Sequence, residues 1–168
     1  MNKKYELLVD DTITFFGWKL FRIKALISFG SVEAGELGGY VAKEGNLSHE
    51  GDAWVYGDAW VYGDAEVYGN AEVYDNARVY GDARVYGDAE VYGDARVKSV
   101  KDYIVFKNNW SSGRYFTYTK SNKMWRAGCF YGTGQELINE AYKDSENSGK
   151  HYKAYVNFVE MLEELENE

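Results

Sequence analysis

The sequence predicts a mainly β fold: a parallel coil of short, equal strands, closed by a β cap at its N-terminal end and by a β-meander with two helices at its C-terminal end. Three observations predict it. A six-letter unit repeats in register from Gly51 to Lys98, and self-similarity at a fixed period is the signature of a solenoid. Proline is absent and aromatic residues make up 17%, with 16 tyrosines, a composition suited to strands with tyrosine-lined faces. The flanking segments, 1–32 and 99–168, leave the repeat for strand-like alternation and then for helical periodicity.

The N-terminal stretch YELLVDDTITFFGWKLFRIKALISFG reads as two or three strands, with the alternation clearest in LFRIKALI. Because the end of a solenoid exposes unpaired backbone and an open core, residues 1–32 are assigned to a cap. Residues 33–50 are expected to form an irregular opening coil. Counted in the register of the hexads that follow, Val41 and Leu47 fall on alanine positions, and Lys43 and His49 fall on valine positions. An interruption of the register is therefore expected there.

Eight hexads follow, from GDAWVY at 51–56 to GDARVK at 93–98. The third letter is always Ala and the fifth always Val, separated by one variable letter. Small, variable, aliphatic is the period-2 pattern of a strand with one buried face. Ala53 to Ala95 and Val55 to Val97 are thus expected to point inwards, and the fourth letter outwards. Gly with Asp or Asn supplies each corner, because these residues tolerate positive φ or bond the turning backbone. Inward residues this small fill only a narrow interior, which three sides enclose, so the coil is expected to take three hexads per turn.

That period stacks the outward letters into three rows: Trp54, Glu72 and Glu90; Trp60, Arg78 and Arg96; Glu66 and Arg84. The sixth letters form ladders: Tyr56, Tyr74 and Tyr92; Tyr62 and Tyr80; Tyr68 and Tyr86. Trp60 beside Arg78 suits a cation–π contact and Glu66 beside Arg84 an ion pair. Glu72 beside Glu90 places like charges together, which calls for something cationic. Trp54 and Trp60 would each leave a large apolar area in water, so a partner or a cap is expected over them. Replacing both by Ala is expected to leave the fold intact and to weaken that contact.

The pattern V-x-x-x-A-x, carried by Val55…Ala59, Val61…Ala65 and onward, resembles the hexapeptide repeat of left-handed parallel β-helix proteins. The resemblance implies a left-handed coil of about three to four turns. Tyr after the aliphatic position departs from the acyltransferase version of the repeat. LGGYVAKEGNLSHEGDAWV at 37–55 and SSGRYFTYTKSNKMWRAGCFYGTGQEL at 111–137 resemble a hexapeptide-repeat family common in bacteriophages and prophages, which has no single agreed activity. Members of this fold often form trimers, and flat β faces with aromatic ridges self-complement, so a homo-oligomer, trimer or dimer, is expected.

Beyond the repeat, DYIVFKNNWSSGRYFTYTKSNKMWRAGCFYG reads as a three-stranded meander with turns at NNWSSG and KSNK. Thr133 opens a capping box with Glu136, and Leu137, Ile138, Ala141 and Tyr142 define one helical face. A second helix from about Lys150 places Tyr152, Tyr155, Val156, Val159 and Leu162 on one stripe. The two helices are expected to pack on the meander, with a short helical oligomer contact as the alternative.

The formal net charge is −8, concentrated in the repeat block and the tail, while residues 98–131 carry seven cations and one anion. So acidic a surface repels phosphates, which argues against generic nucleic-acid binding. No apolar run is long enough to cross a membrane, and MNKKYELLVDD lacks a signal-peptide pattern, so a cytoplasmic protein is expected. The lone Cys129 is expected to be a buried structural thiol.

Catalytic signals are sparse. A hexapeptide acyltransferase uses a surface histidine as general base, and the chain offers only His49 and His151, neither inside the repeat. The carbonic anhydrase branch of the same fold needs three histidine ligands, one more than the chain has. GTGQEL at 132–137 lacks the Lys-Ser/Thr ending of a phosphate loop and reads as a turn before a capped helix. The corner aspartates point apart on three edges, unlike calcium ligands. No metal or cofactor is expected.

The candidate binding residues are therefore Trp54, Trp60, Tyr56, Tyr62, Glu72 and Glu90 on the coil. The basic segment adds Trp110, Arg114, Lys120, Lys123, Trp125 and Arg126, where aromatics interleave with cations and could hold a small anionic ligand such as a nucleotide. The same cations could instead neutralise the acidic terminal helices. The expected function is non-catalytic binding by a phage- or prophage-type accessory factor that sequesters or inhibits a host component, with counter-defence as one version. Acyl transfer through His49 and inhibition by an acidic DNA mimic are the alternatives.

Overall fold

The computed structural model describes residues 3–167. Eight two-residue strands, β4 (Trp54–Val55), β5 (Trp60–Val61), β6 (Glu66–Val67), β7 (Glu72–Val73), β8 (Arg78–Val79), β9 (Arg84–Val85), β10 (Glu90–Val91) and β11 (Arg96–Val97), wind into a three-sided parallel solenoid. Pairing runs β4–β7–β10, β5–β8–β11 and β6–β9, each strand matched to its counterpart three hexads on, as with Val55 to Val73 and Val67 to Val85. Every repeat alanine and valine is buried, at 0–1% exposure, so the narrow interior is filled by methyl groups meeting from three sides.

Each coil binds the next through backbone donors and acceptors along strands and corners alike. Trp54 N–H donates to the Ala71 carbonyl at 3.1 Å, Tyr56 N–H to Val73 at 2.8 Å and Asn70 N–H to Gly87 at 2.9 Å. A second bond, such as Ala59 N–H to the Tyr56 carbonyl at 3.1 Å, closes the corner itself. Gly51 shows why the first letter is glycine: its φ is +73, and a Cβ there would lie 2.6 Å from the Gly69 carbonyl. Asp75, at φ +58, is the one non-glycine residue at this corner position.

The N-terminal cap is a hairpin, β1 (Tyr5–Phe15) and β2 (Trp18–Ala25), followed by β3 (Leu37–Val41), which pairs antiparallel with β2 and parallel with β5. One face of the solenoid thus continues into the hairpin as a six-stranded sheet. The opening coil differs from its sequence reading. Val41 pairs with Val61 and Leu47 bridges to Val67, so both occupy the valine register and both are buried. The turn that each of these pairs spans is longer than the regular three hexads. The corner around His49 holds the inserted residues, which displaced the count made from the hexads.

The open carbonyls of the first full coil are met on all three sides. Lys4 Nζ donates to Ala53 at 2.7 Å, Tyr40 N–H to Ala59 at 2.9 Å and the Asn46 side-chain amide to Ala65 at 2.8 Å. Lys4 is 1% exposed. Burial pushes its ammonium down to about 8, and Asp52 opposes that shift.

At the other end the meander has four strands rather than three: β12 (Tyr103–Lys107), β13 (Tyr115–Thr119), β14 (Met124–Ala127) and β15 (Phe130–Thr133). Alternation on β12 gives the sheet two apolar faces. Tyr103 and Val105 pack on the solenoid core, and Ile104 and Phe106 pack towards the helices. Three side-chain hydroxyls meet one backbone group on each side of the last coil. Tyr103 Oη donates to the Arg84 carbonyl at 2.7 Å, Thr117 Oγ1 accepts from Glu90 N–H at 2.9 Å, and Ser121 Oγ accepts from Arg96 N–H at 2.7 Å.

Helix α1 (Gly134–Asp144) starts at the expected capping box, with Thr133 and Glu136 bonded reciprocally. Helix α2 (Glu146–Glu166) starts one turn earlier than its apolar stripe suggests, because Ser145 caps it by accepting from Ser148 N–H. Leu137, Ile138, Ala141, Tyr152, Val156 and Val159 join Phe116, Tyr118 and Trp125 in a second core, while Tyr142 lies outside it and is exposed. Cys129 is also exposed, contrary to the buried thiol expected: it sits beside Gly128 (φ +60) in the two-residue turn between β14 and β15, where side chains point to solvent.

Trp54 is wholly buried, with Tyr5 at 6.1 Å and Phe29 at 5.3 Å from its ring. Truncation at a site this enclosed removes apolar burial and leaves a cavity. Trp54→Ala is expected to lower unfolding free energy by about 3–5 kcal/mol in urea titrations, reversing the tolerance expected from the sequence.

Candidate functional site

The outward rows and ladders form as the period requires. Arg78 lies 4.1 Å above the Trp60 ring, Arg84 Nε is 4.0 Å from Glu66 Oε2, and the tyrosines stack face to face, with Tyr56–Tyr74 at 3.9 Å, Tyr74–Tyr92 at 4.3 Å and Tyr62–Tyr80 at 5.3 Å. Trp60 packs edge-on to Phe15 at 5.0 Å, and Tyr62 is buried between Tyr80, Phe15 and Trp18. The N-terminal hairpin is therefore the cover over Trp60 and Tyr62, and neither they nor Trp54 offers a free aromatic contact.

Of the paired glutamates on the β4–β7–β10 face, Glu90 does meet a cation. Arg126, sent from β14, places Nε 3.5 Å from Glu90 Oε2 and its guanidinium 4.0 Å above the Tyr92 ring. Tyr92 in turn donates its hydroxyl to Glu72 Oε2 at 3.3 Å. Burial raises the Glu90 carboxyl above its ordinary range, the neighbouring Glu72 raises it further, and Arg126 opposes both. Burial likewise holds the Tyr74 and Tyr92 phenols protonated far above their usual range.

Three cations of the basic segment pair inside the molecule, Arg126 with Glu90 as above. Lys123 pairs with Glu163 at 2.9 Å, Lys120 pairs with Glu166, and Tyr118 donates to Glu163. Trp125 is buried, and Trp110 stacks on His151 at 4.3 Å. The aromatic and cationic residues expected to hold a nucleotide are thus not brought to one surface. Of the four named cations only Arg114 forms no ion pair among the described residues.

Arg114 stands on the rim of a groove of about 560 Å³ that runs along the ladder face between the two caps. Asp52 and Gly30 border it from the N-terminal side, and Tyr56, Glu72, Asp88 and Glu90 line it. Among the described residues Asp52, Glu72 and Asp88 form no ion pair. The groove is accordingly a rigid acidic cleft with one guanidinium at its edge, suited to a ligand group that is cationic or carries both signs. Tyr56, Glu72, Glu90 and Arg114 were legible as candidates. Asp52 and Asp88 were read only as corner residues, although their separation of six hexads, two full turns, already stacked them on one edge.

Both histidines are engaged elsewhere. His49 stacks on Tyr5 at 4.2 Å, and its Nδ1 accepts from Lys4 N–H at 3.1 Å. His151 Nδ1 donates to the Asn147 carbonyl at 2.7 Å within α2. Among the described residues no cluster of three or more His, Cys, Asp or Glu could hold a metal ion. No described helix is long and apolar enough to cross a membrane.

A family model described as the YdcK beta solenoid repeat matches residues 71–87 and again 77–91, windows that start one hexad apart. The chain carries a beta-solenoid repeat. The match covers the middle of the coil, where the pairing from turn to turn is regular, and leaves the caps and most of the groove's rim outside it. No curated protein matches the chain.

Removal of Arg126 leaves Glu90 half-buried beside Glu72 without its cation. Arg126→Met is expected to lower the melting temperature at pH 7 and to lower it by less at pH 4. Glu90 has a raised folded-state pKa, so it takes up its proton early as pH falls, and the unpaired charge disappears. Paired thermal melts at the two pH values check this.

Proposed function

We propose that this protein is a non-catalytic binding protein, an accessory factor of the phage or prophage type, which sequesters or inhibits a host component by receiving a cationic group in the acidic groove. The observation that carries the reading is the groove itself: Asp52, Glu72 and Asp88 carry charges that the molecule's own cations leave unpaired among the described residues, on a face held rigid by stacked tyrosines. A lysine or arginine side chain of a host protein would satisfy them, with Arg114 contacting an adjacent carboxylate. The phage setting rests on the sequence resemblance alone.

For acyl transfer, the candidate base His49 is held in the opening coil by its contacts with Tyr5 and Lys4, with its Nε2 3.5 Å from Glu44 Oε1. The acidic DNA-mimic reading has one favouring observation: exposed carboxylates align along a second corner, where Asp58, Asp75 and Asp94 border an open channel of about 700 Å³. Such a mimic would occupy a broad basic cleft and not receive a single cationic group.

The test is capture from host lysate by the tagged protein, followed by titration of the purified partner against wild type, Asp52→Asn with Asp88→Asn, and Asp58→Asn with Asp94→Asn. The expected result is at least a tenfold loss of affinity in the first double variant only, with a weaker salt dependence. Equal binding by wild type and the Asp52/Asp88 variant would overturn the groove assignment, and a loss confined to the Asp58/Asp94 variant would favour the mimic. Turnover of an acyl-CoA that His49→Ala abolishes would overturn the non-catalytic reading altogether.

A further inference from the structure

Helix α2 carries two apolar stripes, and the molecule buries only one of them; of the other it covers only part, with Phe158 edge-on to Phe106 at 6.3 Å. Tyr152, Val156 and Val159 pack into the second core. Ala154, Phe158, Met161 and Leu165, at spacings of four, three and four, form another stripe with the rhythm of a helix–helix seam. This stripe faces solvent: Phe158 is 48% exposed, Met161 62% and Leu165 61%. Scattered exposed apolar side chains are ordinary on a protein surface, but an aligned row is the mark of a contact.

The charges beside the row are polarised along the helix. Lys150 and Lys153 lie in its first half, where Lys150 pairs with Glu146 at 3.4 Å, and Glu160, Glu163, Glu164 and Glu166 lie in its second. Glu163 and Glu166 are turned inward to Lys123 and Lys120. Lys153, Glu160 and Glu164 are exposed and form no ion pair among the described residues. The surface that complements an apolar row with basic and acidic ends is the same helix run in the opposite direction.

We propose that the outer stripe of α2 is the two-fold interface of an antiparallel homodimer. With the two-fold axis between residues 159 and 160, Phe158 meets Met161 of the second copy and Leu165 meets Ala154 of the second copy. The first contact sets a thioether against an aromatic ring, and the second a large side chain against a small one. At about 1.5 Å rise per residue, Lys153 then lies within about 3 Å, along the axis, of Glu164 of the second copy. Parallel pairing would instead align lysine with lysine and glutamate with glutamate, which is unfavourable. A single helix pair is a small interface, so the dimer dissociates in the micromolar range, on the order of 1–100 μM. The proposal is independent of the groove, which lies on the coil.

Sedimentation equilibrium of the full chain from about 1 to 200 μM tests it, together with Met161→Glu, Lys150→Glu with Lys153→Glu, and Glu160→Lys with Glu164→Lys. Wild type is expected to be a monomer–dimer system. Met161→Glu is expected to be monomeric with an unchanged far-ultraviolet circular dichroism spectrum, and each charge-reversed double variant to dimerise at least tenfold more weakly. An equimolar mixture of the two charge-reversed variants is expected to dimerise again, because antiparallel pairing sets acidic ends against basic ends in both halves. A monomeric wild type throughout the range overturns the proposal. So does an oligomer that Met161→Glu leaves intact, or a mixture that associates no better than either variant alone.

Discussion

A parallel coil has no natural end. Each turn of the solenoid satisfies its backbone by exchanging hydrogen bonds with the turns before and after it. The first and last turns therefore carry buried donors and acceptors that no further repeat will meet, and such groups are costly when unpaired. The rest of the structure depends on meeting that constraint. The N-terminal segment supplies Lys4, Tyr40 and Asn46 to the three open alanine carbonyls of the first full coil. The meander supplies Tyr103, Thr117 and Ser121, one hydroxyl to each side of the last. A buried ammonium that burial pushes down to about 8 stands at the first end because it is the donor that closes the ladder there.

Much of the coil was legible because its physics is periodic. Alternation identified the inward alanines and valines, and the three-hexad turn identified the partners of each outward residue, down to the Trp60–Arg78 and Glu66–Arg84 contacts. What covers a residue is not periodic. Trp54 points out of the coil as its position requires, yet Tyr5 and Phe29 bury it from segments with no sequence relation to the repeat. Val41 and Leu47 were misregistered for a similar reason: an insertion in a corner leaves the coil continuous in space while shifting any count made along the chain. Cys129 shows that hydrophobic character yields to turn geometry when a two-residue hairpin places a side chain outside.

The candidate site was legible in its parts and hidden in its assembly. Glu72 and Glu90 announced a need for positive charge, and Arg126 was read as a ligand-binding cation; the fold sets Arg126 against Glu90 and leaves Glu72 only the Tyr92 hydroxyl. Three cations of the basic segment, Lys120, Lys123 and Arg126, neutralise Glu90 and the acidic terminal helix, so part of the uneven charge of the sequence reflects internal pairing between distant segments. Of the four candidate cations, Arg114 alone stays outside that pairing among the described residues, beside a row of carboxylates. The groove therefore follows from the caps, whose edges wall it, as much as from the repeat that floors it.

The claim that side-chain hydroxyls close the open end of the coil is tested most directly by native-state hydrogen exchange at the Glu90 and Arg96 amides. These amides bond to Thr117 and Ser121, whereas the Glu72 and Arg78 amides bond within the solenoid. The account predicts that the Glu90 and Arg96 amides exchange as slowly as those of Glu72 and Arg78, in one cooperative unit. Exchange at Glu90 and Arg96 near the rate of an unprotected amide, with the interior still protected, would contradict it.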